Sequence, residues 1–266
     1  MTFAKLRDLD VYYERAGEGP PLLFIAGSGG DLRNRPNQMQ SPLSKAFDLV
    51  SYDQRGLGQT TKPEADYTMA DYADDAAALL DHLGWDRVRV MGASFGGMVL
   101  LELLIRHPQR VSRAVLACTS PGGAGGASYP FHKLAHLSSD ERARTLIPAG
   151  DTRRDAAWSA AHPDEYAALI AMVTKAEAAR DPVAVEGYRR QLAARAGHDT
   201  WDRLAEIACP VLIAAGRYDG IALPETQHNM AARIPGAKLE FFDGGHVFMV
   251  QDRAAFPAMI DFLSAA

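Results

Sequence analysis

Residues 88–101 constrain the fold of this 266-residue chain more than any other stretch. They read as a short apolar strand, a G-x-S-x-G turn formed by Gly92, Ser94 and Gly96, and the first turns of an apolar helix. A serine at such a bend between a strand and a helix has its hydroxyl exposed above the sheet. The helix N-terminus behind it offers backbone N–H groups to a developing negative charge. The stretch therefore predicts a nucleophilic serine at Ser94, with an ordinary turn serine as the alternative.

A nucleophilic serine needs a general base, and the base needs a carboxylate that orients it. The C-terminal third offers Asp219, in the loop after an apolar strand, and His246, which follows a second strand and a glycine pair. Catalytic groups of open parallel sheets gather at the C-terminal ends of the strands, and the chain order Ser94, Asp219, His246 is typical of this turn. Asp199 and Asp243 are rival carboxylates, but Asp243 lies too near His246 along the chain to reach its ring from behind.

Strands and helices alternate along most of the chain, which is typical of an α/β fold with a mainly parallel sheet. The pattern predicts strands at residues 11–15, 22–26, 49–53 and 114–117, and a helix over 67–83 that is capped by Thr68. After the glycine-rich residues 119–128, the chain is rich in alanine, arginine and leucine up to residue 204 and carries no strand signal. We therefore predict a core of residues 1–121 and 206–266, interrupted by a helical cap at 122–205.

Four segments, in this order along the chain, resemble those of α/β-hydrolase-fold enzymes. They are an oxyanion loop at residues 24–31, a D-x-R-G-x-G segment at 52–60, an acid loop at 216–219 with Pro224, and a histidine loop at 244–246. The resemblance implies a serine hydrolase with a mainly parallel eight-stranded sheet, flanked by helices, and a helical cap inserted after the sixth strand.

The oxyanion hole is expected to consist of two backbone N–H groups. One belongs to Phe95, directly after the nucleophile, and the resemblance assigns the other to Ser28. One departure from the family concerns Ala26, which stands where a histidine usually braces the oxyanion loop. We expect this replacement to affect the geometry of the loop more than the activity. Asp53 and Arg55 are predicted to form a structural ion pair that braces the neighbouring loop.

The predicted substrate contacts are apolar: Met98, Val247 and Phe248 beside the triad, and Trp158 from the cap. Apolar residues at helical spacing can equally belong to a core. An apolar pocket with a few polar groups suits a small carboxylic ester or lactone. Residues 30–33 and the sequence around Ser94 resemble the 3-oxoadipate enol-lactonase and carboxylesterase branch. That branch implies a small acid as substrate and hence an arginine for its carboxylate. The candidates are Arg33, Arg142, Arg144, Arg153, Arg154, Arg189 and Arg190.

Composition excludes several other classes of function. The net charge of −5 provides no basic footprint for a nucleic acid, and no apolar run approaches the ~18 residues of a membrane span. No metal-binding motif appears, so we expect neither a metal nor another cofactor. The N-terminus lacks the apolar segment of a secretory signal, and Cys118 and Cys209 are predicted to be buried free thiols. These features predict a cytoplasmic protein.

Two alternatives to an ester or lactone hydrolase stay open. The first is a hydrolase that cleaves C–C bonds of ring-cleavage products with the same triad; relatives of that kind commonly carry a tryptophan directly after the histidine, where this chain has Val247. The second is a non-enzymatic ligand receptor on the same fold. Haloalkane dehalogenases and epoxide hydrolases would need an aspartate in place of Ser94, which excludes both.

Overall fold

The structure is a computed structural model that describes residues 2–178 and 181–265. Within these residues, eight strands form one sheet in the order β1-β2-β4-β3-β5-β6-β7-β8. The strands are β1 (Thr2–Leu6), β2 (Leu9–Ala16), β3 (Pro21–Ile25), β4 (Asp48–Tyr52), β5 (Val88–Ala93), β6 (Val111–Ala117), β7 (Val211–Gly216) and β8 (Lys238–Phe242).

In the strand order given above, the sheet is parallel from β4 to β8, and the antiparallel strands lie at the β1 edge. Strand β2 pairs antiparallel with both β1 and β4, whereas the neighbouring pairs from β4–β3 to β7–β8 are parallel. The predicted mainly parallel eight-stranded sheet is confirmed. Strand β1 was not predicted, because its short sequence carries little apolar alternation.

Helices cover both faces of the sheet and fill the segment between β6 and β7. They are α1 (Leu43–Ala46), α2 (Met69–His82), α3 (Phe95–Arg106), α4 (Ser139–Gly150), α5 (Ala156–Ala161), α6 (Pro163–Ala178), α7 (Pro182–Ala196), α8 (Pro224–Arg233), α9 (Phe248–Gln251) and α10 (Ala255–Ser264). Thr68 caps α2 as predicted, since its side chain accepts the amide of Asp71 while the Asp71 carboxylate accepts the amide of Thr68. In the described part of the chain, no helix is both long and apolar enough to span a membrane.

The two faces of the sheet bury separate apolar clusters. Strand β5 shows the alternation, because Val88 and Val90 contribute to one cluster and Met91 and Ala93 to the other. Helices α2 and α3 cover the first face, and α1 and α10 cover the second. Strand β5 is thus buried on both sides, which fixes the position of the chain where it leaves the sheet.

Helices α4–α7 form the insertion between β6 and β7, which confirms the predicted place of the helical segment. The insertion has a small apolar cluster of its own, with Ala143, Ile147 and Ile170 at its centre. This segment therefore buries apolar side chains apart from the two clusters on the sheet. The boundaries at residues 122 and 205 stay a prediction.

The predicted ion pair between Asp53 and Arg55 is wrong. The Arg55 guanidinium instead forms two hydrogen bonds to Asp75 of α2, at 2.6 and 2.8 Å, and both side chains are almost completely buried. The Asp53 carboxylate accepts the backbone amides of Leu32 and Gln59, at 2.7 and 2.8 Å. A guanidinium pairs best with a carboxylate whose two oxygens each accept one of its N–H groups. Asp75 on α2 accepts from Arg55 in this way.

Because Arg55 and Asp75 are buried together, removal of Asp75 leaves the Arg55 guanidinium in the interior with only the exposed carboxylate of Asp8, at 3.7 Å, as a charged partner. We expect Asp75→Ala to lower the free energy of unfolding by about 3–5 kcal/mol. The matched control is Asp74→Ala, which removes partly exposed contacts with Arg106 and His107 at the surface and should cost about 1 kcal/mol or less. Urea unfolding followed by circular dichroism measures both; equal losses would contradict a special contribution from the buried pair.

Candidate active site

The predicted functional residues meet at one edge of the sheet. Strand β3 lies between β4 and β5, so the order of strands reverses there, and parallel strands end at the same edge. Ligands of such sheets bind outside the carboxyl ends of the strands at a reversal of this kind. The loops after β3, β5, β7 and β8 all leave the sheet at this edge.

Ser94 connects β5 to α3 in a strained backbone conformation. Its φ and ψ angles are 55° and −117°, a combination that residues with a side chain rarely adopt. The turn is so tight that a Cβ on Gly92 would lie 2.3 Å from the carbonyl oxygen of Gly96. A Cβ on Gly96 would lie 2.0 Å from the carbonyl oxygen of Ile25, at the end of β3. Glycine is therefore required at both positions of the G-x-S-x-G turn.

Ser94, His246 and Asp219 form one chain of hydrogen bonds. The Ser94 Oγ lies 2.9 Å from His246 Nε2, and His246 Nδ1 lies 2.8 Å from Asp219 Oδ2. Asp219 is fully buried, and its other oxygen, Oδ1, accepts the amides of Ile221 and Ala222. A carboxylate in this position favours the tautomer with the proton on Nδ1, and that tautomer leaves Nε2 facing the serine hydroxyl as a possible proton acceptor.

The rival carboxylates make other contacts. Asp243 is exposed and forms an ion pair with Arg153 at 3.1 Å. The side chain of Asp199 accepts the amide of Trp201 in a turn. Asp219 is thus the carboxylate that the structure brings to His246, as the sequence predicts.

Phe95 and Ser28, which are predicted to form the oxyanion hole, lie directly after Ser94 and in the loop next to it, respectively. Phe95 is the first residue of α3, where the amides have no partner within the helix. Ser28 follows Gly27, and a Cβ on Gly27 would lie 3.5 Å from the Cβ of Ser94. Among the hydrogen bonds of residues 2–178 and 181–265, neither amide has an acceptor. Two N–H groups without an acceptor thus lie in the segments that adjoin Ser94, and their role as an oxyanion hole stays a prediction.

The oxyanion loop is braced without the usual histidine. Gln54 donates its side-chain amide to the carbonyl oxygen of Ala26 at 2.8 Å. Gln191, a fully buried residue of α7, accepts the amide of Gly29 at 2.8 Å. Neither glutamine was predicted to contribute. Gln54 could have been suspected from its place inside the D-x-R-G-x-G segment, whereas nothing in the sequence relates Gln191 to a loop 162 residues away.

The four predicted substrate contacts have different surroundings. Met98 lines a cavity of about 280 Å³ next to α3, and Val247, directly after His246, is half exposed. Trp158 stacks on His162 within the insertion, with ring centroids 5.0 Å apart. Phe248 was predicted wrongly: it is completely buried and stacks on Phe242 in the core, because the start of α9 turns this side chain toward the sheet.

The arginines predicted to bind a carboxylate mostly have carboxylate partners within the protein. Those in ion pairs are Arg33, Arg142, Arg144, Arg153, Arg189 and Arg190. Arg154 lies over the ring of Trp158 instead, at 5.8 Å from its centroid. The structure brings a different arginine, Arg195 of α7, to the oxyanion loop, where it donates to the Ser28 hydroxyl at 2.9 Å. One signal marks it: no carboxylate precedes it by one helical turn, whereas Glu186 precedes both Arg189 and Arg190.

The insertion also contacts the loops that carry the base and the acid. The amide of His246 donates to the carbonyl oxygen of Gly150, at the end of α4, at 2.6 Å. The amide of Gly220 donates to Ala149, and the amide of Thr152 donates to Tyr218, both at 2.9 Å. The end of α4 therefore fixes the histidine loop and the acid loop against each other.

The two cysteines lie in the interior of the protein. Cys118 and Cys209 are buried and free, as predicted, and burial raises the pKa of both thiols. No group of three or more histidine, cysteine or acidic side chains that could hold a metal ion occurs in the part of the chain that the structure describes.

Comparisons with known proteins agree with this architecture. The family model of the alpha/beta hydrolase fold matches residues 20–252. The chain is 29% identical to a putative non-heme bromoperoxidase from Mycobacterium tuberculosis over 265 residues, which cover 97% of this chain and 98% of the relative. It is 30% identical to a putative carbamate hydrolase from a Caulobacter species, over 96% of this chain and 94% of the relative.

Solved structures give the same result. The enol-lactonase from Burkholderia xenovorans matches with a TM-score of 0.80 and 25% identity, over 99% of this chain and all of that one. The resemblance seen in the sequence and the prediction of an enzyme of this class are confirmed: the chain belongs to the α/β-hydrolase fold family.

Proposed function

We propose that the protein is a serine hydrolase that cleaves a small carboxylic ester or lactone through an acyl-enzyme intermediate. The observation that carries the proposal is the continuous hydrogen-bond chain from Ser94 through His246 to Asp219, beside two backbone amides without acceptors. The printed names of two relatives, a putative carbamate hydrolase and an enol-lactonase, describe enzymes that act on related carbonyl compounds and support it.

In the first half of the reaction, His246 Nε2 takes the proton of the Ser94 hydroxyl while Oγ attacks the substrate carbonyl carbon. The carbonyl oxygen becomes an oxyanion. As the intermediate collapses, the bond between the carbonyl carbon and the alcohol oxygen breaks, and His246 gives its proton to that oxygen. An ester thereby releases its alcohol, whereas a lactone keeps the new hydroxyl attached to the acyl group.

In the second half, a water molecule attacks the acyl-enzyme. His246 takes a proton from this water and passes it to Ser94 Oγ as the acyl bond breaks, which restores the serine and releases the carboxylic acid. Asp219 holds the imidazole in place and stabilises the imidazolium that forms in both halves. No cofactor is needed for either step.

Electrostatic stabilisation of the oxyanion supplies a large part of the expected rate. Each amide aimed at the oxyanion contributes about 3–4 kcal/mol in enzymes of this kind. The amide of Phe95 acts with the positive end of the α3 dipole, and the amide of Ser28 depends on the bracing of its loop by Gln54 and Gln191. This bracing compensates for the missing histidine, so we expect the protein to be active with alanine at position 26.

We further propose that residues 122–205 act as a cap over the site and that Met98, Val247 and Trp158 contact the substrate. Met98 and Val247 flank the triad along the chain, and the contacts of α4 with the loops of Asp219 and His246 support a position of the cap beside the catalytic groups. Apolar contacts of this kind alter selectivity by roughly 1–3 kcal/mol for each methylene group gained or lost.

The first test of the proposal is Ser94→Ala, because it removes the covalent step. Turnover of short p-nitrophenyl esters or of a lactone should fall on the order of 10⁶-fold, as it does when other triads lose their serine. An unchanged thermal unfolding temperature serves as the control for folding. Activity within tenfold of the wild-type protein would show that Ser94 is not the nucleophile.

The same panel of substrates separates the reaction types. A vinylogous diketone, offered at the same concentration, should be cleaved more slowly than the esters and the lactone. Preferential cleavage of the diketone would support the C–C hydrolase instead, and turnover of no substrate would support the non-enzymatic receptor.

A second test concerns the carboxylate. Asp219→Asn should lower kcat by about 10⁴-fold, because an amide no longer holds His246 in the tautomer that accepts a proton at Nε2. Asp243→Asn is the matched control, since this exposed residue pairs with Arg153 and should leave kcat within about twofold. If Asp243→Asn were the more damaging change, the assignment of Asp219 would be wrong.

A further inference from the structure

Asp151, directly after α4, is a buried carboxylate outside the proposed triad. Only 2% of its surface is exposed. The Arg153 guanidinium donates to both of its oxygens, at 2.9 and 2.8 Å, and the side-chain amide of Gln251 donates to Oδ2 at 3.0 Å. Burial alone would raise the pKa of the Asp151 carboxyl, but the hydrogen bonds from Arg153 hold this pKa below its ordinary value. Asp151 is therefore ionised at neutral pH.

Gln251, the last residue of α9, connects this carboxylate to the histidine loop. Its Nε2 donates to Asp151, and its Oε1 accepts the amide of Gly245, the residue before His246, at 2.8 Å. An ionised carboxylate can only accept and a backbone N–H can only donate, so these two neighbours permit one orientation of the Gln251 amide. A chain of hydrogen bonds thus runs from the end of α4 to the residue that precedes the proposed base.

The segments that these bonds join also pack backbone against backbone. A Cβ on Gly245 would lie 2.1 Å from the carbonyl oxygen of Gly150, at the end of α4. A Cβ on Gly216, at the end of β7, would lie 2.1 Å from the carbonyl oxygen of Gly245. The amide of His246 donates to the carbonyl oxygen of Gly150 at 2.6 Å. The histidine loop therefore lies between the end of β7 and the end of α4, in direct contact with both.

The imidazole of His246 tolerates little displacement. Its rigid ring faces Asp219 with Nδ1, at 2.8 Å, and Ser94 with Nε2, at 2.9 Å. A shift of the backbone at residue 246 therefore lengthens at least one of these two contacts. Misplacement of a catalytic group by about 1 Å can slow an enzyme by on the order of 10²-fold. Groups that hold the histidine loop in place thus bear on the rate as well as on stability.

We propose that Asp151 and Gln251 are positioning residues for the reaction: they fix the histidine loop so that the imidazole of His246 reaches Ser94 and Asp219 together. The inference rests on the proposed function and adds a residue of the helical insertion to those that the chemical step requires. Among the hydrogen bonds of the described residues, neither Asp151 nor Gln251 contacts Ser94 or Asp219. Their effect on the reaction therefore acts through the histidine loop.

The first test places two carboxylates against each other. Gln251→Glu keeps the length of the side chain and the acceptor for Gly245, but it replaces the donor to Asp151 by a second anion. We expect kcat for short p-nitrophenyl esters to fall by about 10- to 100-fold, because a misplaced base slows the chemical step. KM should change by less than about threefold, since the substrate contacts are retained. If this variant does not fold, Gln251→Leu takes its place, because it removes both hydrogen bonds without adding a charge.

The second test restores the bond with donor and acceptor exchanged. In the double variant Asp151→Asn/Gln251→Glu, the new asparagine amide can donate to the new glutamate, which still accepts the amide of Gly245. We expect its kcat to exceed that of Gln251→Glu by about tenfold or more. Asp140→Asn is the matched control, because Asp140 pairs with Arg144 on the exposed side of the same helix and should leave kcat within about twofold. A double variant no faster than Gln251→Glu would overturn the proposal.

A spectroscopic measurement keeps the result independent of turnover. The ¹⁵N chemical shifts of the two ring nitrogens of His246, identified by their loss in His246→Ala, show which nitrogen carries the proton. We expect the wild-type ring to hold the proton on Nδ1, toward Asp219. Gln251→Glu should move both shifts toward those of a mixture of tautomers, and the double variant should return them. Unchanged shifts in Gln251→Glu, at a temperature well below its thermal unfolding, would overturn the proposal.

The two measurements separate failure of the positioning residues from failure of the proposed reaction. If the wild-type protein hydrolyses esters and Ser94→Ala does not, but Gln251→Glu has the wild-type kcat, the positioning residues are wrong while the serine hydrolase stands. If the wild-type protein hydrolyses no ester but the ring nitrogens respond to Gln251→Glu as expected, the proposed reaction is wrong while the positioning of His246 stands.

Discussion

The close approach of α3 to the end of β3 is the constraint on which the candidate site depends. Gly96 lies against the carbonyl oxygen of Ile25, where a Cβ would stand 2.0 Å away. This contact brings the N-terminus of α3 beside the loop after β3, in which Gly27 lies against Ser94. A larger residue at Gly96 would separate α3 from this loop, because the backbone of β3 is held in the centre of the sheet by its neighbours on both sides.

The insertion completes the site, and it does so through two separate contacts with the core. Helix α7 holds the oxyanion loop through Gln191 and Arg195, and the end of α4 holds the loops of Asp219 and His246. The loop that contains Ser28 and the loops that contain Asp219 and His246 are thus both tied to the helical segment. Displacement of this segment would change the geometry of the hydrogen-bond chain from Ser94 to Asp219.

The sequence predicted the parts of this arrangement that depend on local patterns. Ser94 and His246 each follow a strand and stand beside glycines, and parallel strands that end at one edge bring such residues together. The parts that depend on packing between distant segments were not predictable. Gln191 and Arg195 belong to a helix whose polar face meets the loop after β3 only in the folded protein. Apart from the missing carboxylate one turn before Arg195, their spacing resembles that of a solvated face.

Two errors have the same origin. The sequence around His246 shows that Phe248 is near the triad, but not that its ring turns toward the core. Likewise, Asp53 and Arg55 are neighbours along the chain, yet the guanidinium finds a better oriented carboxylate on α2. Proximity along the chain predicts which residues are available for a contact, whereas side-chain direction and competing partners decide which contact forms.

The central claim is that His246 and Asp219 activate Ser94 as a nucleophile. The most direct measurement is intact-protein and peptide mass spectrometry after treatment with a p-nitrophenyl alkylphosphonate, which reacts with activated serines and releases p-nitrophenol. The account predicts one adduct per chain, on the peptide that contains Ser94, and a much slower reaction in His246→Ala. An unmodified protein, an adduct on another residue, or an equal rate without His246 would contradict it.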